Sequence, residues 1–353
     1  MSVFNGKKLK IEIYGSSHAK KIGVKVKGMP KFAPDMRGLN AFLARRRPCS
    51  SVYSTARKEE DVPVFIGIKD GVIKGKFEAY IVNADVKSSD YNELYGVFRP
   101  SHADYAWFLK DNVLDFRGGG RFSGRMTAPL CIVGGILKQY LEEKENIKIN
   151  AFISEVGAAK GASYRDGDFD PERLDVVGNL AFPALSGAEE MLKEITAAKR
   201  CRDSVGGRVE CVVRGMKTGV GDCLFDGLEG KIASLLYAIP AVKGVEFGAG
   251  FSMTAMRGSA ANDQMYLDKD NKIRFRSNNS GGINGGISNG NLITFAVAVK
   301  PTPSIPRSQE TVDFFRTETV KIQIKGRHDA CIAPRAVPVV EAATAIAIAD
   351  EII

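Results

Sequence analysis

Nine residues, Arg117-Gly-Gly-Gly-Arg-Phe-Ser-Gly-Arg125, hold three arginines and four glycines. Glycine lets a backbone approach a ligand closely and adopt φ > 0. Arginine presents a planar fork of donors that matches phosphate or carboxylate. The stretch reads as a loop shaped around an anion. An apolar, helix-like run from Pro129 to Leu141 follows it, and a helix N-terminus also favours anions. Proton transfer would fall to the three histidines. His18 lies in Gly15-Ser-Ser-His-Ala19, His102 in Arg99-Pro-Ser-His-Ala-Asp-Tyr105, and His328 in Gly326-Arg-His-Asp-Ala-Cys331. Imidazole titrates near neutral pH, so each is a candidate general acid or a plain anion ligand. A lone histidine is more often structural, but here all three sit among turn residues and charged partners. Their wide spacing argues against a local metal motif such as H-E-x-x-H, and no metal is expected.

Further segments carry the same chemistry. Arg45-Arg-Arg-Pro48, followed by Ser50, Ser51 and Thr55-Ala-Arg-Lys-Glu-Glu-Asp61, reads as a clamp for an anionic substrate. It reads equally as a solvated helix end and loop. Ser277 to Gly290 is too polar and glycine-rich for a core element. Its backbone N–H groups and Asn amides suit a nest for phosphate or a planar ring edge, or the segment is a flexible loop. Lys300-Pro-Thr-Pro-Ser-Ile305 then returns a lysine and hydroxyls to that neighbourhood. Tight turns with donors point to a cofactor phosphate.

These segments need a framework, and the chain has the length for it. Its 353 residues are 44% hydrophobic and 26% charged, an ordinary globular balance. One domain over residues 1–353 is the expectation. No apolar run reaches membrane-spanning length and no secretory apolar region opens the chain, so a cytoplasmic location is expected. Six cysteines without a C-x-x-C pair read as free thiols. The net charge of +9 suits a polyanionic partner. Basic residues sit singly beside turn residues rather than in a stripe with aromatics, which favours a small charged ligand over nucleic acid.

Strands are expected at Val64 to Ile68 and Val72 to Val82 around the turn dipeptide Asp70-Gly71. Others are Lys148 to Val156, Arg208 to Arg214, Val245 to Thr254, Leu292 to Lys300 and Val320 to Lys325. Helices are expected at Pro129 to Glu145, Ala188 to Lys199, Phe225 to Ile239 and Val337 to Ile353. Hairpin-like strands mixed with helices indicate an α+β fold with mostly antiparallel sheet. No strand–GxGxxG–helix unit is present, which argues against a Rossmann domain.

In order along the chain, these segments resemble the chorismate synthase family from His18 to the C-terminus. Gly15 to Ala19 is similar to its GESHG start, Arg45 to Cys49 to RRRPG, and Arg99 to Tyr105 to RPGHADY. Arg117 to Arg125 matches RGGGR-x-S-x-R, and Ala241 to Phe251 matches AVKGVEFGAGF. Ser277 to Gly290, Lys300 to Ile305, and Gly326 to Ala342 follow. Four positions depart from the pattern: Ser16, Ala19, Cys49 and Ser101.

The resemblance implies a β-α-β sandwich with helices between antiparallel sheets, assembled as a homotetramer. It implies a lyase that converts 5-enolpyruvylshikimate-3-phosphate to chorismate by 1,4-elimination of phosphate. That activity requires reduced FMN (FMNH2) without net redox change. His18 resembles the histidine that protonates the departing phosphate, His102 the one that protonates or stabilises the reduced flavin, and Asp329 the aspartate that assists proton abstraction. Arg46, Arg121, Arg125 and Arg335 correspond to substrate ligands. FMN contacts by the same resemblance are Arg121, Phe122, Ser123, Pro240, Ala241, Gly285, Lys300, Pro301, Thr302, Pro303, Ser304 and Arg327. Some members carry an arginine linked to NADPH contact where Val52 stands here, so the flavin is expected to be reduced externally.

Two readings compete. A flavin oxidoreductase would turn over pyridine nucleotide with net oxidation of its substrate. A basic RNA-binding protein using RGG-like loops would lose affinity steeply with salt. The single tryptophan and the folded-core composition speak against the second.

Overall fold

The computed structural model describes residues 1–48, 60–83, 95–112, 119–166, 170, 173, 176–177, 180–324 and 328–353. Two five-stranded antiparallel sheets enclose a layer of helices. The first contains β1 (Ser2–Asn5), β2 (Lys10–Tyr14), β3 (Lys21–Phe32), β4 (Val64–Ile66) and β5 (Ile73–Val82), in the order β1-β2-β3-β5-β4. The period of two is plain in β3, where Ile22, Val24 and Val26 are buried while Lys21, Lys25 and Lys27 face out. The second contains β6 (Lys148–Val156), β7 (Ala159–Lys160), β10 (Gly207–Arg214), β11 (Val242–Phe247) and β16 (Ile293–Val299), in the order β11-β16-β10-β6-β7. Cys211 marks the middle of this sheet, opposite Ala151 on one side and Phe295 on the other. Four ribbons complete the strands: β8 (Val176–Val177) with β9 (Leu180–Ala181), β12 (Met265–Leu267) with β13 (Ile273–Phe275), β14 (Ile283–Asn284) with β15 (Ile287–Ser288), and β17 (Gln309–Asp313) with β18 (Glu318–Ile322).

The helical layer is built on α3 (Thr127–Glu145) and α7 (Ala333–Ile352), with α1 (Met36–Arg46) and α5 (Leu228–Tyr237) against them. α2 (Asp104–Asp111), α4 (Ala188–Arg200) and the single turn α6 (Gly258–Ala261) lie further out in the sequence of elements. α3 packs on the first sheet and α7 on the second, which is why both are apolar on nearly every side in their buried parts. They cross where Gly134 meets Ala342. A Cβ at Gly134 would lie 2.4 Å from the Ala342 Cα, so the crossing needs glycine there. The mixed helices and antiparallel sheets are the expected α+β architecture.

Some boundaries move. The strand expected at Val245 to Thr254 runs instead over Val242–Phe247 and gives way to a 3-10 turn at Gly250–Ala255. Gly248 and Gly250, at φ 54° and 51°, turn the chain out of the sheet. The helix expected from Phe225 begins at Leu228, because Leu224 to Asp226 form a separate 3-10 turn with Leu224 at φ 53°. The last helix starts four residues early, at Ala333; Pro334 suits a first turn, and the interior Pro338 is tolerated within a buried helix. The first three strands and helix α2 were not anticipated, and α1 only as a helix end at its arginines. All five cysteines among the described residues are unpaired. Among those residues no helix is long and apolar enough to cross a membrane, and no cluster of three or more His, Cys, Asp or Glu is arranged for a metal ion.

Candidate active site

A cleft of about 930 Å³ gathers the ends of many elements. His18 reaches it from the turn between β2 and β3, and Arg46 from the last turn of α1. Ser101 and His102 enter just before α2, whose capping residue Ala103 and whose Ala106, Trp107 and Lys110 form one lining stripe. Arg121, Phe122, Ser123 and Arg125 come from two 3-10 turns that lead into α3. Pro240 and Ala241 follow α5, Lys300 and Thr302 to Ser304 follow β16, and His328, Asp329 and Arg335 approach α7. Among the described residues, the fold thus brings together in one cavity every sequence-predicted site residue except Pro301 and Gly285.

Pro301 lies between two lining residues but does not line the cleft itself. Gly285 sits in the β14–β15 turn at φ 60°. The next carbonyl, Gly286 O, accepts from Leu228 N at the start of α5 at 2.9 Å, whereas the cleft takes Tyr237 at that helix's far end. A ten-residue helix is about 15 Å long, so Gly285 stands well away from the cleft of its own chain. The donors of the Ser277 to Gly290 segment are largely spent on structure: Asp263 accepts from Ser277 Oγ at 2.6 Å, Asn279 N at 2.7 Å and Ser280 N at 2.9 Å. Arg327, Cys49 and most of the Thr55 to Asp61 motif lie outside the described residues.

The lining is strongly cationic. Arg46, Arg99, Lys110, Arg121, Arg125, Lys243, Lys300 and Arg335 face it against two carboxylates, Asp111 and Asp329. Burial, and then the neighbouring Lys243, pull the Lys300 ammonium below the usual lysine range. Its Nζ still donates to Ser101 O at 2.7 Å. Ser101 itself stands at φ 56°, where the family pattern has glycine. A non-glycine residue there costs roughly 1–2 kcal/mol, which explains the glycine of the pattern. Ala241, also lining the cleft, is held at φ 74°.

His18 and His102 are anchored differently. His102 is the outer member of a triad with Asp104 and Arg99. The Asp104 carboxylate accepts from Arg99 Nε at 2.7 Å and Arg99 Nη2 at 2.8 Å, and lies 2.6 Å from His102 Nδ1. A carboxylate only accepts, so His102 Nδ1 carries its hydrogen toward Asp104 and Nε2 is the nitrogen left for the cleft. Burial alone would raise the Asp104 pKa; hydrogen bonds from Arg99 and His102 outweigh it and bring it down to about 2. The His18 turn is held by its backbone, with Ser17 N donating to Gly120 O at 3.1 Å.

Behind the lining, Asp61 accepts from both Arg46 and Arg125. Arg46 is only 2% exposed, which overturns its alternative reading as part of a solvated helix end. On the other side, Arg335 Nη1 donates to Asp329 Oδ2 at 2.5 Å. Asp61, Asn83, Asp104, Trp107 and Lys243 escaped the sequence reading as individual residues. Asp61, Asp104 and Lys243 lay inside quoted motifs. Trp107 figured only as the chain's single tryptophan, since α2 was not expected, and Asn83 carried no signal.

Two atoms bear on a bound group. Thr302 Oγ1 and Ser17 Oγ are buried without a hydrogen-bond partner. A native interior rarely leaves such groups unmet, so both fit a ligand with polar atoms. Trp107 and Phe122 form an aromatic wall, edge to face with centroids 5.2 Å apart. The cleft can therefore take a flat ring and several anionic groups side by side.

Comparison with known proteins agrees with this geometry. A family model described as chorismate synthase matches residues 9–353. A chorismate synthase of Methanocaldococcus jannaschii is 42% identical over 358 residues, covering 98% of this chain and 94% of its own. One from Porphyromonas gingivalis is 40% identical over 348 residues, with 98% and 94% covered. A crystal structure of chorismate synthase superposes with a TM-score of 0.73 at 25% identity, covering 98% of this chain and 92% of that one. Similarity that spans nearly the full length, in sequence and in fold, makes this chain a member of the chorismate synthase family.

Proposed function

We propose that the cleft binds 5-enolpyruvylshikimate-3-phosphate beside reduced FMN and eliminates phosphate to give chorismate. The observation that carries this reading is the meeting of His18, His102 and Asp329 in one cavity lined by eight arginines and lysines. The substrate has two carboxylates and a phosphate, which suit Arg46, Arg121, Arg125 and Arg335. In the elimination the ring C–O bond to phosphate breaks, a ring proton leaves, and a second ring double bond forms. His18 donates a proton to the departing phosphate, and the guanidiniums hold its charge. Asp329, oriented by Arg335, accepts the ring proton or passes it on. His102, its Nδ1–H held by Asp104, turns Nε2 to the flavin, where it binds a proton and passes it on.

Reduced FMN, when bound, supplies the electron transfer that a formally non-redox elimination needs. The chain fits it. Trp107 and Phe122 would offer the aromatic wall, Lys300 the charge, and Thr302 and Ser304 the hydroxyls for its phosphate. Val52, where an arginine is linked to NADPH contact, favours a flavin reduced elsewhere. We read residues 1–353 as one unit, since both sheets contribute to the cleft, working as a cytoplasmic homotetramer. The exposed Leu224, Phe225 and Phe251 are apolar residues that assembly would cover.

The test is anaerobic. The protein is mixed with 5-enolpyruvylshikimate-3-phosphate and chemically reduced FMN. Phosphate and the diene absorbance of the product should appear together, with no net oxidation of flavin. Net consumption of reductant with substrate would support the oxidoreductase reading instead.

Two further results are expected. Trp107 is the only tryptophan of the chain, so FMN in this cleft should quench most of the protein's indole emission. Bound flavin with unquenched emission would place the cofactor elsewhere. Asp104→Asn should keep the fold and lower kcat about 100-fold with little change in KM. Its amide can turn an N–H toward His102 Nδ1 and reverse the tautomer. Steady-state kinetics at wild-type rates would remove Asp104 from the orientation of His102.

A further inference from the structure

One chain of polar contacts runs behind the cleft from the His18 turn to Asp329. Asn83, just past the end of β5, donates from Nδ2 to Ala19 O at 2.7 Å and to Ser16 O at 3.3 Å, and from its backbone N to Lys20 O at 3.0 Å. Its Oδ1 accepts from Arg125 Nε at 3.0 Å. Arg125 then pairs with Asp61, and Asp61 with Arg46. Arg46 O accepts from Arg335 Nε at 3.0 Å, and Arg335 reaches Asp329.

Asp61 is the centre of this chain. Its side chain is fully buried and is not among the cleft-lining residues, so it acts through the arginines. Arg46 and Arg125 are 2% and 6% exposed, and two such guanidiniums side by side would repel each other without an anion between them. Each gives one nitrogen to Asp61, Arg46 to Oδ2 and Arg125 to Oδ1, so each guanidinium has its own carboxylate oxygen. Burial would raise the Asp61 pKa, but Arg46 and Arg125 together lower it, so the carboxylate stays ionised through the neutral range. The backbone at Asp61 is left-handed, φ 49°, a conformation that Asp and Asn accept more readily than most residues.

We propose that Asp61 is a positioning residue that sets the spacing of Arg46 and Arg125 for the substrate's anionic groups and, through Arg125 and Asn83, the attitude of the His18 turn. The proposal rests on the elimination reading above and adds a residue to it.

Asp61→Asn is the direct test, since asparagine keeps the shape and tolerates the backbone. Its amide has one acceptor oxygen where the carboxylate has two and carries no charge, and its NH2 faces a guanidinium. One arginine therefore loses its anchor. KM for 5-enolpyruvylshikimate-3-phosphate should rise about tenfold or more, the worth of one charge-assisted hydrogen bond. Reduced-FMN affinity, read by Trp107 quenching, should change less than about twofold, because Lys300, Thr302 and the aromatic wall stand on other elements. Asp61→Glu keeps the charge and should recover much of the KM. Asn83→Ala should lower kcat with KM held. The double variant should lose less than the product of the two single losses, because both act through Arg125.

Unchanged KM and kcat in Asp61→Asn would overturn the proposal. So would a parallel loss of KM, kcat, flavin affinity and melting temperature, which marks a merely structural role. If Asp61→Asn does not fold, Asn83→Ala decides: a fall in kcat alone supports the proposal, and wild-type kinetics overturns it. If wild-type protein makes no diene, the elimination reading fails by itself. The Asp61 proposal is then read by calorimetry with inorganic phosphate, which Asp61→Asn should bind at least tenfold more weakly; equal binding would overturn it.

Discussion

Replacing His18 with alanine is expected to leave the fold intact and to lower kcat about 1,000-fold, within the range for loss of a positioned general acid. The His18 turn is fixed by backbone groups of Ser16, Ser17, Ala19 and Lys20, and by the Asn83 amide. The variant should keep that turn and lose only the proton donor. Phosphate is a poor leaving group as a trianion, and the guanidiniums around it compensate only part of the missing proton. KM should move little, since binding rests on the arginines. The measurement is anaerobic single-turnover phosphate release with thermal melting as a control. Wild-type kcat in a well-folded His18→Ala would remove His18 from the mechanism.

Glu341→Gln is expected to have the largest effect on stability. Glu341 is 1% exposed in α7, between α1, α3 and β6. It accepts from Arg45 Nη1 at 2.9 Å and Nη2 at 2.7 Å, Lys138 Nζ at 2.6 Å and Ala151 N at 3.1 Å. Removing one member of such a buried cluster typically costs about 3–5 kcal/mol. The lower end, about 3 kcal/mol, applies because Arg45 and Lys138 reach partly to solvent.

The effect should depend on pH. Burial would raise the Glu341 pKa, but Lys138 and Arg45 outweigh it and lower it from 4.5 to about 2. The folded state thus binds its proton later than the unfolded chain does as acid is added. The stabilisation is complete above about pH 4.5 and is lost as pH falls toward 2. Asp104, lowered from 3.8 to about 2, adds to the same acid decline. Melting temperatures of wild type and Glu341→Gln should therefore lie several degrees apart at pH 7 and converge toward pH 2. A constant gap across that range would show that the cluster does not hold Glu341 ionised.

Local chemistry was legible in the chain by itself. Alternating strands such as β6 and β10, the long apolar α3 and the amphipathic α4 follow from neighbour spacing, which is a property of short segments. The alternation of β3 was equally plain but was masked by its lysines. The residue types able to bind anions and move protons, and the order of motifs that marks the family, were also written in short stretches.

Only the tertiary structure decided which of them act together. Arg46 looked as much like a solvated helix end as a ligand, and burial against Asp61 settled its environment. Asp104 fixes the orientation and tautomer of His102 by lying two residues away in the sequence and 2.6 Å away in space. Gly285 carried a motif yet stands beside the start of α5, away from the cleft, because the ribbon that holds it packs there. Asn83 carried no motif at all and still ties the His18 turn to Arg125. Sequence patterns record what each segment prefers with its neighbours. The network of Asn83, Arg125, Asp61, Arg46, Arg335 and Asp329 exists only when both sheets close on the helical layer, since burial is what turns scattered charges into paired ones.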